Sequence, residues 1–218
     1  MMKMKRFVNY LRVAGLIIAL TSTGAMAQDK PASTQATTAP FKSFTNYPDY
    51  SFHANVKEYI NDMKKGGRNL LIWKDPAVNL SQYSSVKVTD FGGRLLPQQN
   101  VFSYDPYVSL FNSVLKSSLK LKQQDSPDAL LIGGEVVECS PGSRAARAWV
   151  GLGAGRAGGA AVCEIYEPGK DNPCIRIYTR DTGASGSWGG NSVLMLNNIM
   201  TVIATRLAAT LNTTLPAK

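Results

Sequence analysis

The chain has 218 residues, with 24 Lys and Arg against 15 Asp and Glu, one His and three Cys, for a formal charge of +9. A lone histidine excludes a multi-histidine metal site within one chain. No dense Lys/Arg stripe with interleaved aromatics occurs, so the charge does not mark a nucleic-acid surface.

The first 27 residues carry an address. Lys3, Lys5, Arg6 and Arg12 precede a short apolar run at residues 13–20, and Ala25-Met26-Ala27 offers a small-x-small cleavage site. That layout predicts a secretory signal peptide cut after Ala27. The apolar run is far shorter than the ~20 residues of a membrane span, and no Cys near the cut can accept a lipid. The expectation is a periplasmic chain starting at Gln28. Removing four basic residues from the 24 leaves 20 against 15 acidic, a mature charge of +5. Such a charge suits proximity to anionic lipid or lipopolysaccharide.

Residues 28–45 are rich in Ser, Thr, Ala, Gln and Pro and read as a disordered leader. Residues 46–80 read as a helix and strand extension. Val56, Tyr59, Ile60 and Met63 recur at helical spacing, Lys64 and Lys65 suit a helix C-terminus, and Gly66-Gly67 predict the stop. Residues 70–73 form a short apolar run, predicted as a strand or packed segment and broken at Asp75-Pro76.

Residues 81–213 read as the main domain. Alternation over 85–91 predicts a half-buried strand. Asp105 and Pro106 predict an N-cap followed by proline in the first turn. Val108, Phe111, Leu115 and Leu119 continue as one helical stripe to about residue 121. A second strand over 129–139 completes a βαβ unit, expected right-handed and parallel. After a Gly/Arg-rich segment at 143–159, strands are predicted at 160–166 and 174–179. Asp181-Thr182-Gly183 is predicted as a turn, and 185–188 as a continuation of the meander. Leu196, Ile199, Ile203, Leu207 and Leu211 define a C-terminal amphipathic helix over 191–211. The fold class is α+β: a small mixed sheet of about four to five strands, with a βαβ unit, a β-meander and the last helix packed on it.

Cys139, Cys163 and Cys174 remain for an oxidising compartment, where thiols tend to pair. Turn chemistry at Pro168-Gly169 and Asp171-Asn172-Pro173 predicts a hairpin closed by a Cys163–Cys174 disulfide, with Cys139 free. The alternative is three buried, reduced thiols acting as small hydrophobes.

The segment from Gly142 to Ala157 reads G-S-R-x-x-R-x-x-V-G-x-G-x-G-R-A. This pattern resembles an uncharacterised bacterial envelope family of secreted or lipid-anchored domains of unknown function. The resemblance runs over roughly residues 80–211. Two departures stand out: no lipidatable Cys is available, and the stretch from Arg156 to Asp181 is longer than usual. What the resemblance implies is an α+β domain in the envelope, with no activity attached.

Several motifs point elsewhere and lose to plainer readings. Gly153, Gly155 and Gly158 spell G-x-G-x-x-G, but a strand follows where a pyrophosphate site needs a helix N-terminus. Those glycines suit turns or close packing. Asp181-Thr182-Gly183-Ala184 matches an aspartic-peptidase loop, yet no second D-T/S-G supplies the partner carboxylate. S-x-x-K occurs at Ser84/Lys87, Ser113/Lys116 and Ser117/Lys120 without S-D-N or K-T-G. His53 has no apparent nucleophile partner. Arg144, Arg147 and Arg156, with Trp149, form the one cluster with binding character, because arginine forks match phosphate and carboxylate. The expected function is therefore non-enzymatic binding or assembly in the envelope. The partner would be an unidentified envelope component, with an anionic membrane surface as one candidate. An anionic glycolipid or glycan binder acting through the Gly/Arg loop and an aspartic-type peptidase are the alternatives. No cofactor, metal or nucleic acid is expected.

Overall fold

The computed structural model describes residues 42–98, 102–142, 156–183 and 191–216. Six strands form one mixed sheet: β1 Lys64–Gly67, β2 Leu70–Lys74, β3 Val86–Val88, β4 Leu130–Ser140, β5 Ala157–Tyr166 and β6 Pro173–Gly183. Their spatial order is β1-β2-β6-β5-β4-β3. Only β3 and β4 run parallel, joined by helix α2, Asp105–Ser118; every other neighbouring pair is antiparallel. The architecture is α+β, with the expected βαβ unit and a β4-β5-β6 meander. Helix α1 is Phe52–Ile60 and helix α3 is Ser192–Thr214.

One face of the sheet is apolar and buried under α2 and α3. Val136, Ala161, Cys163, Ile165, Ile175 and Ile177 meet Phe111 and Leu115 of α2 and Leu196, Ile203, Leu207 and Leu211 of α3 in one core. Each large aliphatic side chain buried there contributes about 1.5–3 kcal/mol. α3 lies close to the sheet where β5 is smallest. A methyl group added at Gly159 would come within 2.7 Å of Ile199 and 2.9 Å of Met200. The opposite face is covered only in part. Phe52 and Tyr59 of α1 pack there on Val137, Ala160 and Val162, together with Leu95.

Several boundaries differ from those the pattern predicts. α1 ends at Ile60, and Lys64–Gly67 is an edge strand rather than the end of a helix and its stop. The chain turns through Arg68 and Asn69, the latter at φ 58°, and Lys64 then pairs with Ile72. β1 and β2 thus extend the sheet through β6. Tyr104, not Asp105, caps α2, and Asp105 begins it. Asp181, Thr182 and Gly183 are not a turn. They continue β6, because β5 begins at Ala157 and pairs along its whole length, with Thr182 opposite Gly158 and Gly183 opposite Ala157. The predicted continuation at 185–188 lies outside the described residues.

The hairpin disulfide is also corrected: Cys139, Cys163 and Cys174 are free and buried. β5 and β6 do pair, but their register sets Cys163 opposite Ile177, three residues from Cys174. At ~3.3 Å per residue that is about 10 Å, beyond the ~7 Å Cα separation a disulfide spans.

Candidate functional site

β5 is buried on both faces, and only the α1 face is polar. Ile165, Cys163 and Ala161 point into the apolar core. Glu164, Val162 and Ala160 alternate with them toward α1. Cross-strand register then builds charged rows. Glu164 stands between Gly133 and Arg176, whose other neighbour is Trp73. Ala160 stands between Glu138 and Arg180.

Glu164 is fully buried and accepts four hydrogen bonds. Phe44 N–H and Tyr59 O–H donate to Oε1 at 2.7 and 2.8 Å. Ser43 O–H donates to Oε2 at 2.7 Å, and Tyr166 O–H joins it. Burial raises the carboxyl above its ordinary value, against the opposing pull of its donors Ser43, Tyr166, Tyr59 and Phe44. Burial also pushes the Tyr59 hydroxyl up, and the neighbouring Glu164 charge adds to it. Arg176, 1% exposed, donates to the Tyr59 carbonyl at 2.9 Å and to Asp62 at 2.6 Å. Its guanidinium lies 4.8 Å from the Trp73 ring centre and 5.3 Å from that of Tyr59. Stacking between aromatic faces suits a guanidinium stripped of water.

Arg94 fastens the same N-terminal segment from another side. Its guanidinium donates to the carbonyls of Tyr47 and Phe44 at 2.8 and 3.1 Å. Its own N–H donates to Glu135 on β4 at 3.2 Å. Burial raises the Glu135 carboxyl, while Arg94 opposes it. These charges, buried at Glu164 and Arg176 and half-buried at Arg94, clamp residues 43–62 onto the sheet.

Beyond α1 the same face is open. A cavity of about 330 Å³ is lined by Lys65, Asn69, Leu71, Tyr178, Arg180 and Asp181, among others. A second, of about 220 Å³, is lined by Phe52, His53, Val56, Val137, Glu138 and Ala160. Tyr178 and Arg180 line both, so the two cavities adjoin along this face as the halves of a trough. Arg180 spans its middle, donating to both Glu138 oxygens at 2.6 and 3.0 Å.

Of the residues singled out from sequence, Arg144, Arg147 and Trp149 lie outside the described residues, as do Gly153 and Gly155. Arg156 is exposed, next to the start of β5. Asp181 is half-buried and bound to Arg206 of α3 at 2.6 Å. Burial alone would raise its carboxyl, but Arg206, the Thr182 N–H and the Arg68 charge together hold it below the ordinary value. Asp181 is thus one half of an ion pair with Arg206. Burial also acts on the three cysteines, pushing Cys139 up to about 12, Cys174 up to about 11, and Cys163 higher still. Among the described residues no cluster of three His, Cys, Asp or Glu could hold a metal. Sequence reasoning passed over Glu164, Arg176 and Arg94. The available signal was local: Glu164 sits between Cys163 and Ile165 in β5, and Arg176 between Ile175 and Ile177 in β6.

Fold and site together define an α+β domain with one apolar face and one charge-fastened face. Residues 109–172 match the family model described as Domain of unknown function (DUF4410), a segment that includes the whole Gly/Arg motif. No curated protein matches the chain. Among solved structures, the PelC dodecamer from Paraburkholderia phytofirmans is similar at 14% identity and TM-score 0.39, covering 66% of this chain and 96% of that one. A minor lipoprotein from Acinetobacter baumannii is similar at 9% identity and TM-score 0.35, covering 61% and 91%.

Proposed function

We propose that this chain is a non-enzymatic module of the bacterial envelope, exported to the periplasm, that acts by binding or assembly. The signal-peptide layout of residues 1–27 supports the address. The observation that carries the mechanism is the use of charge. Glu164, Arg176, Arg94 and Asp181 are spent on internal fastening, each held by partners at hydrogen-bond distance. Catalytic groups need perturbed acids or bases facing an open site, whereas these groups secure elements to one another.

The test is fractionation of cells producing the full chain, N-terminal sequencing, and in-cell cross-linking followed by purification. The expected result is a periplasmic protein beginning at Gln28 that recovers an envelope component. A cytoplasmic protein beginning at Met1 would refute the address. Peptide hydrolysis abolished by Asp181→Asn would refute the non-enzymatic reading.

A second reading keeps the Gly/Arg loop as the contact to an anionic surface. It draws on Arg156, which is exposed and has no ion-pair partner among the described residues. Replacing Arg144, Arg147 and Arg156 with Gln should then release the protein from anionic vesicles at low salt without lowering its melting temperature. A fall in stability with no selective loss of binding would assign the arginines to internal bracing.

A further inference from the structure

The trough on the α1 face has a property that the internal fasteners do not explain. Its floor is apolar: Leu71 and Tyr178 at one end, Val137, Ala160, Phe52 and Val56 at the other. The charges around it balance in pairs except at one end. Arg180 is matched by Glu138, and Asp181 by Arg206. Lys65 lines the trough on the edge strand and Arg68 follows in the β1–β2 turn. Both are exposed, and neither has an ion-pair partner among the described residues. Arg68 acts on Asp181 through space, but that carboxylate is already held at 2.6 Å by Arg206. Two cations without a carboxylate partner among the described residues therefore stand at this end.

Length fits as well. From β1 to β4 the trough crosses β2, β6 and β5, four strand spacings or about 19 Å. That is the scale of an extended acyl chain of medium length. A peptide adding itself as a strand is disfavoured at this edge, because β1 is short, carries Lys64 and Lys65, and has an irregular register between Lys65 and Gly67. Those are the devices by which sheets block edge pairing.

We infer that the trough binds a single-chain amphiphile with an anionic head group, its acyl chain along Leu71, Tyr178 and Val137 and its head group at Lys65 and Arg68. This deepens the binding reading and rests on it. Hydrophobic burial would supply most of the affinity and the two cations the selectivity.

The experiment is calorimetric titration of the purified exported protein with dodecyl phosphate below its micellar concentration. Inorganic phosphate and the uncharged dodecyl maltoside serve as controls. The expected result is saturable one-to-one binding of dodecyl phosphate, no binding of inorganic phosphate, and clearly weaker binding of the maltoside. The double variant Lys65→Glu, Arg68→Glu, confined to exposed residues, should weaken binding by about tenfold or more while the protein stays folded by circular dichroism at the titration temperature. Leu71→Gln should weaken dodecyl phosphate and maltoside alike. Four outcomes overturn the assignment: no saturable binding, equal affinity for the maltoside, an unaltered affinity in the double variant, or tighter binding of an acidic peptide. Recovery of an envelope partner in cells is read separately, so the trough can fail while the envelope reading stands.

Discussion

Replacing Glu164 with Leu keeps a side chain of similar size but removes the acceptor for four donors. Ser43, Phe44 and Tyr59 come from the N-terminal segment, and Tyr166 from the end of β5. The Phe44 N–H cannot rotate away, and the Tyr59 hydroxyl is fully buried. Each stranded buried donor costs about 1–3 kcal/mol. Removing a buried charge returns part of that. The expected net loss is about 3 kcal/mol, and at 2–4 °C per kcal/mol for a domain of this size the melting temperature falls by roughly 6–12 °C. Glu164→Gln behaves differently. Its carbonyl can stay at the Oε1 position for Phe44 and Tyr59, while its amide donates to the Ser43 and Tyr166 hydroxyls, which can turn to accept. Its loss should remain below about 1.5 kcal/mol. The two variants also separate by pH. Folding raises the Glu164 carboxyl above its ordinary value, so the folded state holds the proton more tightly than the unfolded state. The stabilisation from that proton is complete below the unfolded value of ~4.3 and is lost as pH rises through the raised folded value. The Gln variant lacks this loss. The stability of the wild-type protein minus that of the Gln variant, from urea denaturation at a series of pH values, should therefore decline with rising pH. A Leu variant within about 1 kcal/mol of wild type, or a difference that does not change with pH, would refute the clamp.

The three thiols should all be free in the exported protein and inert to a thiol reagent at neutral pH until denaturant is added; a linked Cys163–Cys174 species in non-reducing peptide maps would refute the register. Gly134→Ala should destabilise by about 3 kcal/mol or more, because the new methyl would sit 2.1 Å from Phe91 and 2.3 Å from the Val162 carbonyl, whereas Gly67→Ala meets nothing within 4 Å and should stay within about 0.5 kcal/mol in the same urea melts. Asp181→Asn should cost about 1 kcal/mol at pH 7 by loosening Arg206. Folding lowers the Asp181 carboxyl, so its stabilisation is present above the unfolded value of ~3.9 and disappears as pH falls through the lowered folded value; thermal melts of the two proteins that differ as much at pH 2 as at pH 7 would contradict that assignment.

The elements with strong periodicity were legible from the chain alone. α3 shows an apolar stripe from Leu196 to Leu211, and the βαβ unit follows from alternation, a proline-started helix and a second apolar run. What misled was punctuation. Gly66-Gly67 and Asp181-Thr182-Gly183 carry turn composition, yet both lie in strands, since pairing with β2 and β5 outweighs local preference. The disulfide expectation failed by register. A hairpin can be foreseen from its turn residues, but a slip of a few residues along the pair decides whether two thiols meet.

The charged face resisted prediction for a different reason. A Glu inside a buried strand is tolerable only if donors reach it, and those of Glu164 come largely from residues 43, 44 and 59, more than 100 positions away. Composition assigned residues 43 and 44 to a disordered leader, because Ser, Thr and Pro give no sign that a carboxylate is waiting for them. The small residues of β5 complete the logic. Gly159 lets α3 approach on one side. On the other, Glu138 reaches so far over Gly158 that an added methyl would lie 2.2 Å from its Oε1. Arg180 meets it there across Ala160. Larger side chains at 158 or 160 would part that ion pair and fill the trough between Tyr178 and Val137. The glycine and alanine run is therefore a spacing device for both faces of one strand: it sets the depth of the helix packing on one side and keeps the proposed binding trough open on the other.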